Sequence, residues 1–300
     1  MKNRSLFSAA LLSILFVGAN AQSITSSTPV RNYYYDFKLF NPAFTGTEAQ
    51  HSITTGYSED QSGLFGAPRL GYGSYELNLP SIESGVGFIS SIQEIGIVRF
   101  THYGLLYSKK LSVTEKSGFH FGTQLAHQRE RRDYTKLRLI DPTDPVVNSG
   151  IETITNFNLS FGVAYYSPTV TVGAGFKNIF KEEFDTREYN LVVTRSITIT
   201  DKIEATPSLF FIMDEARNSV RLNTSFKLFD WVLLGAGYTF PQNGSDNLDV
   251  NIGLNIKDRV QIITHVYAAE YARHRSNNRE TTWIESMIRV RIGEPTANEH

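Results

Sequence analysis

The chain of 300 residues contains no cysteine. That excludes disulfide scaffolds, thiolate metal sites, a cysteine nucleophile and lipid attachment at an N-terminal cysteine. Charge of either sign is not in excess: Lys and Arg number 29, Asp and Glu 30, for a net charge of −1. No bulk attraction to nucleic acid follows, and none is expected as a partner. Past residue 21 no apolar run approaches the length, about 18 residues, that a membrane-crossing helix needs. Only helices and closed barrels satisfy every backbone group inside lipid, so a membrane form of this chain has to be a barrel. Proline and tryptophan are scarce at 10 and 2, whereas Phe reaches 20, Tyr 15 and Gly 22. Such a balance suits strands and membrane interfaces.

The first residues have the pattern of an export signal. Lys2 and Arg4 supply positive charge, Leu6 to Val17 is a short apolar stretch, and Ala19-Asn20-Ala21 is a small-x-small cleavage site. Residues 1–21 are therefore expected to be a cleaved signal peptide. The mature chain would begin at Gln22 and be placed in a bacterial outer membrane. Residues 22–47 lack clean alternation. They are Ser/Thr-rich at first and then aromatic (Tyr33, Tyr34, Tyr35, Phe37, Phe40, Phe44). They are expected to pack in a lumen or at the periplasmic rim. Residues 48–293 would form the barrel and 294–300 a polar tail.

Within 48–293 polarity alternates in segments of about ten residues, the signature of transmembrane strands. From Ser219 to Leu228, Val220, Leu222, Thr224, Phe226 and Leu228 share one face, and Arg221, Asn223, Ser225 and Lys227 the other. From Asn247 to Lys257, Leu248, Val250, Ile252, Leu254 and Ile256 alternate with polar residues and Gly253. Thr155 to Tyr166 repeats the pattern. A period of two places such sets on opposite sheet faces.

The strands expected are 50–57, 69–79, 84–94, 98–111, 118–128, 155–166, 169–178, 188–199, 202–213, 219–228, 231–240, 247–256, 259–268 and 281–292. That is about fourteen, an even number as single-chain bacterial barrels require. Tight links at Ser167-Pro168, Thr200-Asp201-Lys202, Phe229-Asp230 and Lys257-Asp258 alternate with longer ones at 129–154, 179–187, 214–218, 241–246 and 269–280. Short turns on one side and long loops on the other fit a barrel inserted from the periplasm. The fold class expected is all-β, a transmembrane antiparallel up-and-down barrel.

Signs of catalysis are weak. Gly173-Ala174-Gly175-Phe176-Lys177-Asn178 begins like a dinucleotide fingerprint, but Asn178 stands where the third glycine belongs, and the glycines lie within an alternating strand. Small residues on a crowded lumen face explain them. His51, His102, His120, His127, His265, His274 and His300 show no metal-ligand spacing, and His120 and His127 would point to opposite faces. His127 with Asp133, and His265 with Glu270, are the nearest approach to a hydrolase pair. No cofactor, metal or enzymatic activity is expected. Arg129-Glu130-Arg131-Arg132-Asp133-Tyr134 would open the longest loop, either as a docking patch for a partner or lipid phosphates, or as a solvated loop base.

One segment carries more information. Phe40-Asn41-Pro42-Ala43-Phe44-Thr45-Gly46 resembles the N-P-A-[YF]-x-G signature at the mature N-terminus of the PorP/SprF family. In physical terms, Asn41-Pro42 starts a turn and Gly46 can supply a positive φ before the first strand. Other similarities follow in order: Gly63-Leu64-Phe65-Gly66-Ala67-Pro68, Gly85-Val86-Gly87-Phe88, Tyr103 and Tyr107 with Leu111, then Asp141-Pro142 and Asp144-Pro145. Thr45 and the non-aromatic C-terminus depart from the pattern.

The resemblance implies a non-enzymatic barrel of the Bacteroidota type IX secretion and gliding machinery. Its motif residues would be Asn41, Pro42, Ala43, Phe44 and Gly46. Its partners would be a large secreted surface protein, an adhesin carrying a type IX C-terminal domain, and other periplasmic and outer-membrane secretion subunits. Arg129, Arg131, Arg132, Asp141 and Asp144 on the long loop would be the docking residues. A solute channel, with the N-terminal segment as its hatch, is the alternative, and an outer-membrane hydrolase comes third.

Overall fold

The computed structural model describes residues 34–60, 66–114, 116–137, 150–180, 186–214, 218–241, 247–269 and 282–295. The expected signal peptide, the segment up to Tyr33, the polar tail beyond Pro295, Asp141 and Asp144 lie outside them.

The strands are β1 (Ala49–Asp60), β2 (Arg69–Leu79), β3 (Ser84–Ile95), β4 (Val98–Thr114), β5 (Ser117–Asp133), β6 (Ile151–Tyr166), β7 (Val170–Lys177) and β8 (Glu188–Arg195). They continue with β9 (Ile197–Thr200), β10 (Ile203–Asp214), β11 (Asn218–Leu228), β12 (Val232–Pro241), β13 (Asn247–Ile256), β14 (Val260–Ala269) and β15 (Thr282–Pro295). Each pairs antiparallel with its neighbours, and β15 pairs with β1 from Asp60↔Trp283 to Ala49↔Pro295, closing the sheet on itself. Closure removes both edges, which is what lipid demands.

β8 and β9 are two pieces of one stave. Both pair with β10 in a common register, Thr194↔Ser208 and Ile197↔Ala205. The expected strand 188–199 is interrupted at Ser196. There the backbone N–H donates to Thr169 O, just before the start of β7, and the hydroxyl bonds Glu204. Fifteen segments thus make the fourteen staves of a closed antiparallel barrel.

Faces follow the alternation. The outward sets of β6, β11 and β13 are apolar and exposed, with Phe157 64% and Ile252 62% accessible. Inward residues are polar and buried: Asn158, Ser160, Arg221, Asn223, Asp249, Asn251 and Glu285 are all covered. This inversion of a soluble protein's polarity leaves a continuous apolar belt that only lipid can cover. The hairpins at Phe229-Asp230 and Lys257-Asp258 hold four non-glycine residues at positive φ, 50°, 64°, 51° and 52°, the two-residue turn whose twist matches paired strands.

Two links differ from expectation. The loop expected at 129–154 spans only 134–150, because β5 and β6 keep pairing from Arg129↔Thr155 to Asp133↔Ile151. Charges on both faces of Arg129–Asp133 hide the strand: above a lipid belt no face has to be apolar. The β3–β4 link, on the long-link side, is tight. Ile95 pairs directly with Val98, and Gly96 takes φ 59°.

Candidate functional site

Residues Tyr34–Glu48 lie inside the barrel. Two 3-10 turns, Phe37–Leu39 and Pro42–Phe44, fold the segment. Irregular backbone at membrane depth persists only where protein satisfies it, and lumen side chains do so here. Lys177 Nζ donates to Leu39 O (3.2 Å), Asn190 Nδ2 to Phe40 O (3.0 Å) and Ser108 Oγ to Thr45 O (2.6 Å). Gly46 N–H donates to Glu76 Oε2 at 2.8 Å, and the Arg289 guanidinium donates to Tyr35 O. The motif's turn is closed by its own asparagine. Asn41 Oδ1 accepts from Ala43 N–H (2.9 Å), while Nδ2 donates to Val163 O on β6 (3.3 Å). Gly46 has φ 70° at the exit toward β1.

The segment brings its own apolar core into a polar lumen. Leu39 and Phe40 are buried against Leu70, Tyr72, Ile89, Leu106, Val192, Phe210 and Ile212, which face inward from β2, β3, β4, β8 and β10. The Phe40 ring meets Phe210 edge-on at 5.1 Å. Excluding water from these side chains stabilises the seated segment by about 1.5–3 kcal/mol per large side chain.

A buried charge network holds the other side. Lys38 Nζ is 2.7 Å from Asp36 and 3.4 Å from Glu76. Arg289, from β15, is 3.0 Å from Glu48 and 3.8 Å from Asp36, and Arg291 is 3.3 Å from Glu48. Three cations thus face three carboxylates. Burial alone would lower the pKa of Lys38, but Asp36, Glu76 and Glu48 together raise it, so the ammonium stays charged. Farther along, Tyr34 and Tyr35 hydrogen-bond Asn251 at 2.6 and 2.9 Å, and His265 lies 3.1 Å from Asp249.

The wall is cut to fit the segment. A Cβ on Gly122 would stand 2.2 Å from the Pro42–Ala43 backbone, and one on Gly162 would stand 1.8 Å from Asn41 Oδ1. Gly173 of the supposed dinucleotide motif lies under the Phe44 ring, so its smallness is a packing matter. A cavity of about 220 Å³ remains beside the segment, bordered among others by Tyr35, Phe44, His120, Tyr166 and Arg291.

The other candidates are dispersed. Arg129 and Arg131 face outward from β5, whereas Arg132 lies on the opposite face and is held by Glu130. Arg132 thus shares no patch with Arg129 and Arg131, because a strand sends successive residues to opposite faces. His120 faces the lumen, and His127 faces outward between Tyr103 and Phe157, six residues along the strand from Asp133. No cluster of metal-ligating side chains occurs among the described residues. The lumen contacts of Asp36, Lys38 and Glu48 were missed from sequence; charged residues in an aromatic, non-alternating stretch before the first strand were the available sign.

A closed antiparallel barrel with an apolar exterior and a filled polar lumen defines an outer-membrane β-barrel protein. Solved structures share the fold. The toluene transporter TodX of P. putida aligns with a TM-score of 0.55 at 9% identity, over 86% of this chain and 94% of its own. The monoaromatic hydrocarbon channel CymD aligns with a TM-score of 0.53 at 10% identity, over 85% and 92%. No curated protein sequence matches. Residues 23–283 match the family described as type IX secretion system membrane protein PorP/SprF, and the chain belongs to that family.

Proposed function

We propose that this barrel is a non-enzymatic subunit of the type IX machinery that supports secretion or surface attachment of one cognate large surface protein. The partner would be an adhesin with a type IX C-terminal domain, held outside by the links 134–150 and 270–281. Other secretion subunits would be met at the periplasmic end, in the service of surface display and gliding.

The observation that carries this reading is the occupied lumen. Tyr34–Glu48 brings buried aromatic packing and a paired charge network into the space that a solute path would need. A solute path would need this segment to leave its buried contacts, whereas a docking protein gains from the rigidity they give. Membership of a secretion family points the same way.

The test is to replace 138–149 with a short Gly/Ser linker, which leaves β5 and β6 intact, and to compare surface proteomes. The expected result is a folded barrel with one large surface protein released into the medium. An unchanged surface proteome, with the variant at normal abundance, would sink the proposal.

A further inference from the structure

The outward face of β4, β5 and β6 changes character at a definite height. Along β5 the outward residues are Phe119, Phe121, Thr123, Leu125, His127, Arg129 and Arg131. Eight residue steps from Phe119 to His127 cover about 27 Å along the strand. At a tilt near 40° that is roughly 21 Å across the membrane, and the two further steps to Arg129 bring it to roughly 26 Å. Outer-membrane apolar belts are about 25 Å tall. Arg129 therefore emerges where the belt ends, on the side of the long links.

An aromatic row marks the boundary. Phe88 stacks with Tyr103 at 6.4 Å, Tyr103 with His127 at 6.3 Å, and His127 meets Phe157 at 5.0 Å, crossing β3 to β6. Such girdles sit at headgroup level. One step above, Arg129 pairs in register with Thr101 and Thr155; one step higher, Arg131 pairs with Arg99 and Thr153. Arg99 directly opposite Arg131 is a like-charge pair, which costs stability unless an anion lies between or beside them. Glu94 accepts from Arg99 Nε at 2.7 Å, and Asp133 is 3.4 Å from Arg131. Arg129 has no carboxylate partner among the described residues. Three guanidinium groups thus meet two carboxylates, with threonine hydroxyls beside them and positive charge left over.

We infer that Arg129, with Arg99 and Arg131, holds the phosphate of a phosphorylated glycolipid of the outer leaflet. Guanidinium groups match phosphate oxygens in bidentate geometry. The side chains leave the barrel sideways into the plane of the membrane, at headgroup depth, where a lipid meets them before a protein docked on the loop end does. Arg132, on the opposite strand face and paired with Glu130, is outside this site and serves as its control.

The test uses the full-length barrel purified in mild detergent and titrated with lipid A. Phosphorylated and enzymatically dephosphorylated forms are compared by native mass spectrometry. The wild type should retain the phosphorylated form preferentially. Arg129→Gln should weaken that binding about fivefold, and the Arg129→Gln/Arg131→Gln pair about 25-fold, at roughly 1 kcal/mol per arginine near an anionic surface. Arg132→Gln should bind as the wild type does. Heat-dependent gel mobility checks that each variant is folded. Equal binding of the dephosphorylated lipid, or equal weakening by Arg132→Gln, would overturn the inference. So would a folded Arg129→Gln variant that keeps its lipid but loses a surface protein in cells, which would make the patch a protein contact.

Discussion

The Arg289 guanidinium lies 3.0 Å from the Glu48 carboxylate, joining the last strand of the barrel to the residue that leads into the first. The same side chain reaches Thr54 Oγ1 at 3.2 Å and the carbonyl of Tyr35. One arginine therefore ties the closing seam to the segment that fills the lumen.

Removing that tie leaves two cations, Lys38 and Arg291, facing the three buried carboxylates Asp36, Glu48 and Glu76. Arg289→Met should cost about 3–5 kcal/mol, as the loss of one partner of a buried ion pair does. Arg289→Lys keeps the charge but not the fork and should cost less. The temperature at which the folded, fast-migrating band disappears on gels measures both; no shift for Arg289→Met would show that the network does not hold the segment.

The absence of native cysteine allows a clean probe of seating. Thr45 is buried, its hydroxyl has no hydrogen-bond partner, and Cys is of similar size. Thr45→Cys should resist a water-soluble maleimide in intact membranes. Adding Gly122→Val, which drives a side chain into the Pro42–Ala43 backbone, should expose it. Rapid labelling of the single Thr45→Cys variant would mean that the segment leaves the lumen freely.

Within the segment, the apolar anchor should outweigh the turn. Phe40→Ala should destabilise by about 3–5 kcal/mol, the range for emptying a buried aromatic site. Asn41→Ala, which loses the bond closing one turn and a longer one to Val163 O, should cost about 1–2 kcal/mol. Thermal melts of the two variants give the ratio, and the reverse order would place the stabilisation in the motif's turn.

The filled lumen also has an electrical consequence. The purified barrel should be silent in planar bilayers at moderate voltage. Steady single-channel steps in the wild type would instead support the channel alternative.

Much of the barrel was legible because lipid imposes a strict rule on it. Outward positions such as Leu248, Val250 and Ile252 must be apolar, and a period of two then locates the strand. Where lipid does not press, the rule disappears. Arg129–Asp133 carries charge on both faces and reads as a loop, yet it pairs as a strand. Ser196 interrupts a stave while its N–H still bonds Thr169 O in the register of β7, a break that no periodicity records. The motif Asn41–Gly46 could be read as a turn, but its destination could not. Contacts such as Ala43 on Gly122 join residues far apart in sequence, and only the closed wall brings them together. Gly85 and Gly87, which resembled family glycines in the third strand, turn out to face Thr45.

The central claim is that a barrel with an occupied lumen acts by holding a partner. The direct measurement is to tag the protein, extract it gently from native outer membranes, and identify what co-purifies. A large secreted protein or secretion subunits in near-stoichiometric amount is the predicted result. A bare barrel, repeatedly recovered alone from membranes that still display their surface proteins, would contradict it.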